Sequence, residues 1–126
     1  MKGREFRHEL KYYINVLDYL QTAQRLGRCM DRDPHADAQG NYSIRSLYFD
    51  DTDDTALRTK LEGTKHRDKY RLRIYNMRDD NIKLERKHKD GQFILKDSLS
   101  LSRAECDALL AGDPGFLLRR DHPFAR

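Results

Sequence analysis

The sequence predicts an α+β fold: a mainly antiparallel sheet with short flanking helices. Two patterns carry that prediction. Several segments alternate apolar and polar side chains with period 2, as strands with one wet face do, and the last three follow one another across short turns. Three other segments carry apolar residues at helical spacing.

Taken in order, "REFRHELKYYINV" sets Phe6, His8, Leu10, Tyr12 and Ile14 against Arg7, Glu9, Lys11 and Tyr13, a strand of about ten residues. From Asn15, a fitting N-cap, Val16, Leu17, Leu20, Ala23 and Leu26 mark a helix that stops at Gly27. Residues 31–41, with Pro34 and Gly40, form a polar loop. In the next strand, "YSIRSLYFDD", the positions of Ile44, Leu47 and Phe49 break the alternation, so the side that Arg45 faces is open. A short helix capped by Thr52 or Asp53 ends at Gly63. Strands over about 65–76, 81–89 and 92–101 turn through "RDDN" and "KDGQ", with Asp90-Gly91 the stronger hairpin signal. Ser102 and Glu105 then make a capping box for a last helix ending near Gly112.

With 126 residues the chain suits one domain with a modest core. Hydrophobic and charged residues each make up 37%, against about 25% charged in an average domain. The net charge of +4 hides a local excess: residues 65–89 hold ten Lys/Arg and four Asp/Glu, a surplus of +6 that leaves the rest at −2. Basic charge so concentrated points to an anionic partner. Cys29 and Cys106 lack any metal or redox spacing and read as ordinary thiols. No secretory signal or membrane-spanning apolar stretch is apparent, which fits a cytoplasmic protein.

Within the basic region, "KYRLRIY" puts Lys69, Arg71 and Arg73 on one strand face, and Lys83, Glu85, Lys87 and Lys89 share a parity on the next strand, with Lys96 on the one after. In-phase cations on adjoining strands lie about 5 Å apart and repel, so they call for an anion or for water. Polyphosphate groups suit them, because Arg grips two oxygens at once and Lys supplies a mobile point charge. Glu85 and Glu9 each read two ways, as a partner for Lys/Arg or as a carboxylate for Mg²⁺ or Mn²⁺. The five histidines are scattered and read as surface or packing residues. Tyr12, Tyr13, Tyr48 and Tyr75 fit packing better than base stacking.

The motifs "RHELKYYI", "IRSLYFDD", "KYRLRIY" and "LERKHKDGQFILKDSLSLS", in this order over about residues 4 to 103, resemble the VTC domain, the polyphosphate polymerase branch of the triphosphate tunnel metalloenzymes. The resemblance implies that the sheet is part of a triphosphate-tunnel β-barrel. It also implies transfer of the terminal phosphate of ATP to an inorganic polyphosphate chain with a divalent metal, Mn²⁺ or Mg²⁺. By this resemblance Lys11 matches the first-strand lysine, Arg71 and Arg73 the paired arginines, and Lys87 the lysine of the E-R-K segment, all with catalytic roles. Lys96, and Arg45 on a looser match, join them as phosphate-binding positions, while Glu85 and Glu9 stand as candidate metal ligands on their own chemistry, the family's metal-binding glutamate belonging to its later strands. Arg7 stands where the wider tunnel family has a glutamate, which favours the polymerase branch.

The family's domain is nearly twice as long, so residues 1–126 read as the N-terminal portion of a single VTC-like domain, with a homodimer expected to cover the open sheet edges. The competing readings are hydrolysis of triphosphates, and binding of tripolyphosphate or polyphosphate without turnover. Nucleic-acid binding is disfavoured because no aromatic motif of the RNA-binding type is present.

Overall fold

The structure, a computed structural model, describes residues 6–120. The chain divides into two compact units: Leu10–Tyr42, and the remainder, which carries the sheet. The strands are β1 (Arg7–His8), β2 (Ile44–Phe49), β3 (His66–Tyr75), β4 (Ile82–Asp90) and β5 (Phe93–Leu101). The helices are α1 (Val16–Leu26), α2 (Thr55–Leu61) and α3 (Arg103–Leu110), followed by a 3-10 helix over Gly115–Arg119.

The strands form one antiparallel sheet in the order β1-β5-β4-β3-β2. The α+β class is therefore as predicted. The sheet is open, with β1 and β2 as its edges among the described residues, and is not closed into a barrel. The first strand is also shorter than its alternation predicts. Among the described residues only Arg7 and His8 pair, opposite Ile94 and Phe93, Arg4 and Glu5 of the expected strand lying outside them, and the Phe93 ring holds this edge through edge-on contacts with Phe6 (6.4 Å) and His8 (5.5 Å).

The core lies on one side of the sheet. Leu72 of β3, Ile82 and Leu84 of β4, and Leu99 and Leu101 of β5 are buried with Cys106 of α3 and Phe116 of the 3-10 helix, and Phe49, Ile74, Ala108, Leu109 and Leu117 pack around them. Each fully buried aliphatic side chain is worth roughly 1.5–3 kcal/mol, so this cluster fixes which way every strand faces. Burial also pushes the Cys106 thiol pKa up, in keeping with an inert core cysteine.

Local signals set the ends of these elements. Gly91 adopts φ +59 in the two-residue turn between β4 and β5, a conformation that costs glycine little. Ser102 and Glu105 form the predicted capping box. Asn15 caps α1 within the Leu10–Tyr42 unit, accepting from the Asp18 amide at 2.8 Å. The cap of α2 differs from expectation. The Asp50 carboxylate accepts from the Ala56 and Leu57 amides, and Asp51 Oδ1 accepts from Thr55, so the turn before the helix satisfies its free N–H groups.

Candidate functional site

Because Leu72 and Ile74 turn toward the core, Lys69, Arg71 and Arg73 of β3 must face the other way. The register carries that choice across the sheet. Arg73 stands opposite Lys83, Arg71 opposite Glu85, and Lys69 opposite Lys87, while Lys87 in turn stands opposite Lys96 of β5. Directly opposite residues share a face, so the cations of three strands gather on the side away from the core. Tyr48 of β2, opposite Arg71, joins them.

Two carboxylates sit among these cations. Arg71 Nε donates to Glu85 Oε2 at 2.6 Å, and its Nη1 donates to the Tyr48 hydroxyl at 3.2 Å with the guanidinium 6.0 Å from the Tyr48 ring centre. Burial works against the charge on Arg71, but the bonds to Tyr48 and Glu85 outweigh it and raise its pKa. The same bond from Arg71 lowers the Tyr48 phenol. Arg73 Nε lies 3.9 Å from Glu85 Oε2, and this buried nitrogen makes no hydrogen bond among the described residues. A buried donor without a partner carries a desolvation cost that an arriving oxygen would relieve. Farther along the face, Glu9 lies 3.3 Å from both Lys87 Nζ and Lys96 Nζ, which together hold its pKa at about 2, Lys96 contributing most. Lys83 Nζ donates to Ser100 Oγ at 3.0 Å.

Of the positions singled out in the sequence, Arg71, Arg73, Glu85, Lys87, Lys96 and Glu9 therefore come together on one surface. Arg45 does not join them. It stands opposite Ile74 and so shares the apolar side with Leu47 and Phe49. Lys11 follows β1 in non-strand chain and belongs to the Leu10–Tyr42 unit. Two lysines with no assigned role, Lys69 and Lys83, lie in the cationic rows. Parity alone showed their face, but their cross-strand partners appear only with the register. Two histidines pair across β3 and β4: His88 with Asp68 at 2.8 Å, and His66 with Asp90 at 3.2 Å. His122 lies outside the described residues.

As metal ligands, Glu9 and Glu85 do not fit a ready-made site. Their oxygens are engaged by lysine and arginine, and among the described residues no three His, Cys, Asp or Glu side chains converge as a metal requires.

The family model of the VTC domain matches residues 6–123, nearly the whole chain. This protein belongs to the VTC family. No curated protein and no solved structure matches it significantly. Membership in the VTC family points to a role connected with polyphosphate, and the cationic face is the surface of this VTC domain whose chemistry suits such an anion. Among the described residues, no helix is long and apolar enough to cross a membrane.

Proposed function

We propose that this VTC domain binds ATP and inorganic polyphosphate through their phosphates on the cationic face, and that it serves transfer of the terminal phosphate of ATP to the polyphosphate chain. The observation that supports it best is the Arg71–Arg73 pair beside Glu85, with a buried Arg73 Nε that has no hydrogen-bond acceptor among the described residues. In such a transfer an oxygen at the chain end attacks the γ-phosphorus, the bond from that phosphorus to the β-phosphate oxygen breaks, and ADP leaves. Little covalent work falls to the protein. Positioning and charge stabilisation dominate phosphoryl transfer, which suits guanidinium and ammonium groups fixed on a sheet. Arg71 and Arg73 would hold phosphate oxygens, while Lys87 and Lys96 would hold the neighbouring ones. Lys11 is proposed as a phosphate ligand on the family resemblance alone.

The Mn²⁺ or Mg²⁺ of this proposal would be carried by the phosphate oxygens themselves, since Glu9 and Glu85 are engaged with cations. A cytoplasmic setting fits the free thiols of Cys29 and Cys106. A homodimer belongs to the same proposal, because the open β1 and β2 edges can recruit a second copy. Sedimentation with and without tripolyphosphate should show a dimer that tightens with the anion, and a monomer in both conditions would remove it.

Calorimetry tests the binding step. Arg71→Ala and Arg73→Ala should each weaken tripolyphosphate and ATP binding by about 1.5–3 kcal/mol, as for charge-assisted contacts. Unchanged affinity in folded variants would overturn the assignment. A second reading is binding without turnover, since a cationic face whose two carboxylates are already engaged by lysine and arginine can grip phosphates by charge alone. Product analysis separates the readings: chain growth from ATP supports the polymerase, free phosphate supports hydrolysis, and unchanged ATP supports a binding module.

A further inference from the structure

Lys69, Lys87 and Lys96 stand directly opposite one another on β3, β4 and β5, a file of ammonium groups that runs across the strands and not along one. Neighbouring strands lie about 4.8 Å apart, so the file spans about 10 Å at its base. Like charges placed directly opposite are destabilising. Within this file the relief is uneven. Glu9 touches Lys87 and Lys96, each at 3.3 Å, but it does not reach Lys69. Lys69 has no ion-pair partner among the described residues, and burial, followed by the nearby Lys60, Arg67 and Lys87, lowers its pKa. One end of the file is thus partly neutralised from within, one carboxylate against two ammonium groups, while the other end has no negative group beside it among the described residues.

We infer that Lys69, Lys87 and Lys96 form a single anion subsite crossing three strands, and that the Glu9 carboxylate is its resident counter-ion, displaced when a polyphosphate chain binds. The inference rests on the phosphate-binding reading above and deepens it in two respects. It adds Lys69 as a binding residue, and it makes Glu9 a competitor of the ligand, where a metal ligand would be its helper. A flexible chain of phosphates can satisfy all three ammonium groups at once. A single glutamate cannot, because its two oxygens lie at one point of the file.

Titration of the 126-residue chain with tripolyphosphate, in buffer containing a metal chelator, tests both parts. Lys69→Gln should bind about tenfold more weakly, whereas Lys69→Arg should stay near wild type. Lys65→Gln, which removes the same charge at an exposed position outside the file, should change affinity by no more than about twofold. Glu9→Gln should bind about twofold to fivefold more tightly, since the internal competitor is gone. Thermal melts check folding, and Lys69→Met, which keeps the aliphatic stem, replaces Lys69→Gln if that variant is unstable.

Equal binding by Lys69→Gln and Lys65→Gln would overturn the subsite, and unchanged or weaker binding by Glu9→Gln would overturn the counter-ion role. Both results presuppose a wild type that binds. If the wild-type chain failed to bind tripolyphosphate at all, the phosphate-binding reading itself would fall, and the subsite with it.

Discussion

On the core side of the sheet, Arg86 of β4 lies opposite Asp97 of β5, and its Nε and Nη2 donate to one carboxylate oxygen at 3.0 and 2.6 Å. On the other side, Arg71 of β3 lies opposite Glu85 with a bond of the same 2.6 Å length. The two pairs look alike in isolation, yet their surroundings differ. Asp97 is 7% exposed, and Arg86 also bonds Tyr70, so the charges there cancel locally and the group is closed. Around Glu85 the cations Arg71, Arg73 and Lys83 outnumber the carboxylate, and Arg73 Nε is left without an acceptor among the described residues. What separates a structural ion pair from a binding surface here is the balance of charge around the bond, since bond length does not distinguish them.

Substitution should break this contrast most strongly at Asp97. Asp97→Ala leaves the Arg86 guanidinium largely buried without its anion, and urea denaturation should show a loss of about 3 kcal/mol. Arg73→Ala, on the opposite face, removes an unsatisfied buried donor, so its stability should stay within about 1 kcal/mol of wild type while anion binding falls. Glu85→Ala should cost less than Asp97→Ala, about 1 kcal/mol in the same measurement, because Glu85 is less buried than Asp97 and Arg71 keeps its bond to the Tyr48 hydroxyl.

The smallest effect concerns acid. The Glu9 pKa is held at about 2 in the folded chain against 4.5 for an ordinary glutamate. Between those values the unfolded chain binds more protons than the folded one. The contribution of Glu9 is therefore fully present above about pH 4.5 and disappears as pH falls toward 2. Melting curves across that window should be less steep in pH for Glu9→Gln than for wild type. Identical curves would show that the Lys87 and Lys96 contacts do not persist in solution.

What the sequence disclosed follows the range of the interactions concerned. The Ser102–Glu105 capping box and the Asp90-Gly91 turn depend on residues within four positions of each other, and both were readable. The cationic parity of β3 and β4 was readable too, because Leu72 and Leu84 declare the core side within their own strands. Arg45 was not, since its strand lacks clean alternation and only pairing with β3 decides its side. The file of Lys69, Lys87 and Lys96 required three strands to be set in register. β1 ended early for a similar reason: the extent of pairing against β5 is a tertiary matter that local alternation cannot limit. The α2 cap came from Asp50 and Asp51, which reach forward over a turn whose Asp54 has φ 52.

The alternation of β3 has a consequence for how such a chain can change length over descent. Leu72 and Arg73 are neighbours in sequence but belong to opposite sides of the sheet. Deleting a single codon between His66 and Leu72 would invert every position up to the lesion relative to the intact remainder, sending leucine toward water or arginine toward the core. Loss or gain of two codons would preserve the phase. Viable length variants of this domain should therefore gather in the loops, such as residues 76–81 between β3 and β4, and any found within β3 or β4 should come in even numbers.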